Sequence, residues 1–210
     1  MATVLENSAS ASLPCIYTEG EGLETARRLI HIGGVSTIVL AELLGKAGIS
    51  IVVFSATILY LASEYLRLHE KRLPVITRIT RFAARENETS GLILSPVSYA
   101  MGILISMNLF PQPLNYAAIS ILTIGDGFSS LVGKRFGRHV IPYNRTKTVE
   151  GSTAFFICSL ISTLIFVNPS TAILGSIAGT VMESLPTRYW ENVIVPTTSG
   201  LSMNLLLLIK

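Results

Sequence analysis

Two short stretches carry most of the chemistry this chain could perform. Residues 122–137 read LTIGDGFSSLVGKRFG, and residues 147–152 read KTVEGS. Asp126 interrupts an apolar run eight residues before Lys134, which puts it about 12 Å inside the helix end at 1.5 Å per residue. An ionised carboxylate in hydrocarbon costs roughly 2.5–3.5 kcal/mol on insertion scales. Thr123, Ser129, Ser130, Gly125, Gly127 and Gly133 surround it. Such small and polar neighbours suit a helix face that lines a wet cavity. Two uses of the acid fit: neutralising a buried Arg or Lys from another helix, or serving as a Mg²⁺ ligand or catalytic base, since intramembrane acids default to function.

The run Gly133-Lys134-Arg135-Phe136-Gly137-Arg138 is followed by Lys147-Thr148-Val149-Glu150-Gly151 at the start of a new apolar segment. Cations on a glycine-bearing loop before a helix N-terminus can hold phosphate, because free backbone N–H groups and the helix dipole attract anions. Gly133, Lys134, Lys147 and Thr148 are the candidates. Glu150 among phosphate binders makes sense when Mg²⁺ sits between. As a loop residue, Lys147 should matter to phosphate binding and little to stability. The stretch is no P-loop: five residues separate Gly127 from Gly133, and Arg135 stands where Ser or Thr is required.

The elements that must position these residues are greasy. Half of the 210 residues are hydrophobic and 14% are charged, against about 25% in soluble domains; the mean hydropathy is +0.56. Seven apolar segments emerge, at about 29–44, 48–66, 90–109, 114–132, 151–167, 170–185 and 193–209. Prolines 74, 111, 113, 142 and 169 fall between them, where helices break. The expected fold is an all-α, polytopic membrane protein of about seven spans. Residues 1–20 form a disordered polar tail, without the basic-then-apolar pattern of a signal peptide. Residues 21–210 form one multi-pass catalytic domain.

With the N-terminus cytoplasmic, 14 of the 16 basic residues fall on the cytoplasmic side, leaving Lys46 and Lys210 outside. That bias satisfies the positive-inside rule. It also places the sequons at Asn87 and Asn144 where glycosylation does not occur. Arg78, Arg81 and Arg85 alternate with Val75, Ile79 and Phe82, as in a basic amphipathic helix on the membrane surface. Glu64 and Arg67 are spaced for an ion pair on a helix surface. Gly175 and Gly179 form a small-xxx-small helix-packing pattern. Cys15 and Cys158 are not expected to pair, no zinc spacing exists, and no nucleic-acid partner is expected.

IGDGFSSLVGKRFG followed by KTVEGS resembles the CTP-dependent lipid kinases of membranes: dolichol kinase, phytol kinase and the yeast-type diacylglycerol kinase, distant relatives of phosphatidate cytidylyltransferase. ETARRLIHIGG resembles that family's basic pair and histidine ahead of an early helix. MESLPTRYWENVIVPTTSG resembles its late acidic segment. The resemblance covers about residues 24–200. It implies CTP as phosphate donor, Mg²⁺ as cofactor and a lipid alcohol as acceptor: a polyprenol such as dolichol, another isoprenoid alcohol, or diacylglycerol. Asp126 and Glu150 become the catalytic and metal-binding pair. Arg27, Arg28, Gly133, Lys134, Lys147 and Thr148 become the nucleotide and phosphate set, with His31, Glu183 and Asn192 in support. The chain has Arg27-Arg28 where the family has Arg-Lys, and Glu191-Asn192 where it has Asp-Asn, which puts more weight on Asp126 and Lys147 than on Glu191. Two rival readings remain. A CDP-lipid synthase would also use CTP, but its Gly-Gly-x-x-Asp-Arg-x-Asp motif is absent. A small transporter or scaffold would favour internal repeats and a midplane site, and no repeat is visible.

Overall fold

The computed structural model describes residues 31–69, 93–187 and 190–209. The expectations for Arg27, Arg28, the N-terminal tail, the basic stretch 78–85 and Arg188 lie outside these residues. The described elements are α1 (Ser36–Leu68), α2 (Ser95–Leu109), α3 (Leu114–Ser120), a π-helical turn (Ile121–Gly125), α4 (Asp126–Phe136), β1 (Val140–Ile141), β2 (Asn144–Thr148), α5 (Val149–Thr163), α6 (Pro169–Ser184) and α7 (Glu191–Ile209).

α5 and α6 start where a side chain satisfies a free N–H group, and α2 and α6 carry a proline in their first turn. Asn168 accepts from Thr171 N at 3.0 Å and Pro169 follows it. Thr148 accepts from Gly151 N at 3.2 Å to open α5.

α1 is not one rod. Gly45 has φ 72° and ψ 165°, a conformation that glycine adopts readily and side-chain-bearing residues do not. The contacts with α2 show what the break does. Tyr99 donates to His31 O at 2.7 Å and Ile93 N donates to Glu64 Oε1 at 3.1 Å, both near the start of α2. Lys46 Nζ donates to Asn108 O and Asn108 Nδ2 to Ser50 Oγ, both at 3.1 Å, near its end. The chain therefore reverses at Gly45, which lies between the apolar segments expected at 29–44 and 48–66.

The rod of α3, the π turn and α4 forms the centre. Ile119 and Leu122 pack with Ile38, Ile49, Ile103 and Met107. Ala117 and Ile121 pack with Phe110, Phe155, Val195 and Met203. Gly175 and Gly179 lie against Met203 and Ser199 of α7, where a side chain would not fit. The outer faces are also apolar: Leu43, Ile51, Leu59, Ile161, Ile165 and Leu208 are all exposed. An apolar core beneath an apolar surface is the pattern of a protein facing hydrocarbon. Among the described residues, three helical stretches, His31–Leu68 (broken at Gly45), Leu114–Phe136 and Glu191–Ile209, are long and apolar enough to cross a membrane by length and composition.

Two expectations need correction. The fold is mostly helical but not all-α, because β1 and β2 form an antiparallel hairpin with Ile141 opposite Asn144. Thr146 and Thr148 are β-branched and favour extended backbone. Asn144 fixes the turn, accepting from Thr146 N and Oγ1 while donating to Ser184 O at 3.0 Å. Nor is Glu64–Arg67 a surface pair: Glu64 is fully buried. Arg67 engages both its oxygens, at 2.9 and 2.6 Å, and together with Ile93 N it ties α1 to the start of α2.

Candidate active site

Asp126 begins α4 directly after the π turn. π turns inside α-helices recur at functional sites, because one extra residue per turn re-aims the side chains that follow. The turn is held tightly against α5. A Cβ on Gly125 would overlap Ser159 Oγ and lie 3.1 Å from the Phe155 ring.

Asp126 Oδ2 lies 3.2 Å from His31 Nδ1, at ion-pair distance though outside hydrogen-bond alignment. The His31 ring stacks on Tyr99 with centroids 4.1 Å apart and planes tilted 40°. The Tyr99 hydroxyl holds the His31 carbonyl as well. His31 is thus oriented at two points by one residue of α2. Nothing in the spacing of Tyr99 marked it in the sequence.

Lys147 comes from β2. Its Nζ donates to Glu183 Oε1 at 2.7 Å and lies 3.5 Å from Glu191 Oε2. Burial alone would lower its pKa. The carboxylates of Glu191, Glu183 and Asp126 outweigh that effect and hold the ammonium above its ordinary 10.5. Glu183, from α6, is almost wholly buried. Besides Lys147 it accepts from Ser129 Oγ at 2.7 Å and Ser152 Oγ at 3.0 Å. One buried carboxylate therefore gathers donors from α4, β2 and α5, which makes Glu183 the structural centre of the cluster. Buried charges require such partners.

The other candidates are placed differently. Glu150 accepts from His139 Nδ1 at 2.6 Å and from His139 N at 3.2 and 3.3 Å, on the exposed flank of the hairpin. Hydrogen bonds from backbone N–H groups, its own foremost, and then from the His139 ring hold its pKa down at about 2. Thr148 spends its hydroxyl capping α5. Gly133 packs on Thr148 and Gly151: a Cβ at Gly133 would lie 3.2 Å from Thr148 Oγ1 and 3.5 Å from Gly151 Cα. The bare glycine lets α4 and α5 approach closely. Lys134 is exposed in the last turn of α4, where a cation complements the helix dipole. Asn192 is buried and donates to Ser98 Oγ at 3.0 Å, joining α7 to α2.

Among the described residues no three His, Cys, Asp or Glu side chains converge as a metal cage. Mg²⁺ rarely uses one; it takes one or two carboxylates and completes its shell with phosphate oxygens and water. Asp126, a hard oxygen donor beside His31 and within electrostatic reach of Lys147, fits that mode. Glu150 would have to release His139 first.

No family model matches the chain, and no solved structure does. Sequence relatives are clear. The chain is 30% identical over 193 residues to phytol kinase of Synechocystis sp., covering 85% of this chain and 77% of that protein. It is 24% identical over 196 residues to the chloroplastic phytol kinase 1 of Arabidopsis thaliana, covering 84% and 64%. It is 28% identical over 167 residues to a probable chloroplastic phytol kinase of Zea mays, covering 70% and 55%. The chain spans about half the length of the maize and rice relatives it matches. The cyanobacterial match covers most of each protein, so this chain belongs to the membrane lipid kinase family that its motifs resemble, the one that includes the phytol kinases.

Proposed function

We propose that this chain transfers the γ-phosphoryl group of a nucleoside triphosphate to the hydroxyl of a membrane lipid alcohol. CTP is the donor that the motifs imply. The names of the relatives favour phytol or a similar isoprenoid alcohol over dolichol or diacylglycerol as acceptor. The observation that carries the reading is the convergence of Asp126, His31, Lys147, Glu183 and Glu191 at one end of the helices.

Phosphoryl transfer depends on positioning and charge neutralisation more than on covalent help from the protein. Lys147, fixed by Glu183, presents a permanent cation to the triphosphate, with Arg27 and Arg28 as further candidates from the preceding segment. Asp126 takes the proton of the lipid hydroxyl, and His31 beside it stabilises the carboxylate. The new O–P bond forms as the bond to the β-phosphate oxygen breaks, and the nucleoside diphosphate leaves. The competing role for Asp126 is to hold Mg²⁺ with the nucleotide, where the cation would offset the charge of the phosphates.

The chain would cross the membrane seven times with this site cytoplasmic. The contacts at Asn108 and at Tyr99 support two antiparallel arms in α1, and the charge bias supports the orientation.

The test supplies purified protein with γ-labelled or α-labelled CTP and with phytol, a polyprenol, diacylglycerol or, as the acceptor a CDP-lipid synthase needs, phosphatidate. Label entering lipid from the γ position alone is the expected result. Label from the α position would mean a CDP-lipid synthase, and no label in any lipid would overturn both readings.

A further inference from the structure

A groove of about 540 Å³ opens between the hairpin, α5 and α6, within the range of roughly 300–1,000 Å³ typical of small-molecule sites. Its walls include Ile141, Tyr143, Val149, Phe156 and Val181, and Ser152 also lines it. None of the described side chains that line it is charged. Ser152 is the link to the site: its hydroxyl donates to Glu183, which holds Lys147.

We propose that this groove seats the hydroxyl-bearing end of the lipid alcohol, with Ser152 at the boundary between the hydrocarbon and the transferred phosphate. The inference rests on the kinase reading above. A triphosphate would find no cation among the described residues of the groove, whereas a neutral alcohol meets apolar walls and hydroxyls. Below the groove the apolar surface continues through exposed Ile157 and Ile161 of α5 and Ile177 of α6. A chain lying in the bilayer can therefore enter sideways, while the nucleotide reaches Lys147 from the aqueous side.

Photolabelling with geranylgeraniol carrying a diazirine tests binding without turnover. The expected label falls within residues 149–156 and 177–184 and is displaced by unmodified geranylgeraniol. Val181→Trp fills the groove from a half-exposed position outside the catalytic cluster. It should reduce labelling and raise KM for the lipid alcohol by about tenfold or more, since a single methylene of misfit in a hydrophobic pocket already costs about that much. KM for CTP should not change. If Val181→Trp melts early, Thr153→Trp on the groove rim gives the same readout. Label concentrated elsewhere, or an unchanged lipid KM in a folded variant, overturns the groove. Label in the groove with no phosphate transfer to any alcohol would instead overturn the kinase reading and leave the groove as a lipid alcohol site.

Discussion

Lys147 and Glu183 are the pair on which residue-scale behaviour turns. The sequence placed Lys147 in an open loop, where its loss should spare stability. The structure corrects this, because Lys147 is what keeps a buried carboxylate neutralised. Lys147→Met should cost roughly 3–5 kcal/mol, the range for leaving one buried charge unpaired. Adding Glu183→Gln should recover much of that loss, as thermal melting in detergent would show. The pH dependence has a definite sign. The folded pKa of Lys147 lies above its ordinary 10.5, so its contribution is complete below 10.5 and is lost as pH rises through the raised value. The melting difference between the wild type and Lys147→Met should therefore stay level from neutral pH towards 10.5. For Asp126→Asn, turnover should fall by roughly 10²–10⁴, the contribution of a positioned base, with folding retained. Restoration of turnover by excess Mg²⁺ would assign the carboxylate to cation binding, and a loss insensitive to Mg²⁺ would assign it to the proton. Asp126 and Lys147 were legible because a carboxylate in hydrocarbon and a cation before a helix are locally anomalous. Glu183 and Tyr99 were less so, since their importance comes from partners 36 and 68 residues away.

At the scale of elements, the π turn and the hairpin were invisible to apolar periodicity. Residues 114–132 read as one uninterrupted apolar segment, because a single turn with one extra residue barely disturbs the pattern. Val140–Thr148 read as a loop, because strands this short have no alternation long enough to register. By contrast, the gap that holds Gly45 was legible, because the apolar pattern lapses between 29–44 and 48–66. The π turn makes its own prediction. Gly125→Ala forces a methyl into Ser159 Oγ and against Phe155, and overpacking of this kind costs roughly 1–3 kcal/mol. Because Asp126 is the next residue, kcat should drop in addition to the melting temperature. Ser159→Ala in the same chain removes the oxygen that the methyl meets and should restore most of both. A Gly125→Ala variant with lowered stability but normal kcat would show that the turn does not aim Asp126.

For the whole molecule, the decisive question is which end faces the cytoplasm. The central rod of 23 residues from Leu114 to Phe136 is about 33 Å long at 1.5 Å per residue, close to the roughly 30 Å hydrocarbon core. A rod of this length is long enough to bring its two ends to opposite surfaces. At one lie Gln112, which donates to Glu42 Oε1 at 2.8 Å, and Lys46 on Asn108. At the other lie Lys134, Arg135, Arg138, Arg145 and Lys147, together with the carboxylate cluster. In cells expressing a chain without Cys15 and Cys158, Gln112→Cys should react with a membrane-impermeant thiol reagent added outside. Arg145→Cys, on the exposed hairpin, should react only after the membrane is permeabilised. Of these cations, Lys46 lies at the first end and five lie at the second, so the charge asymmetry alone demands this result if the positive-inside rule governs insertion. The reverse labelling pattern would put the phosphate-binding end outside, away from cellular nucleotide, and would remove the cytoplasmic kinase assignment together with the topology.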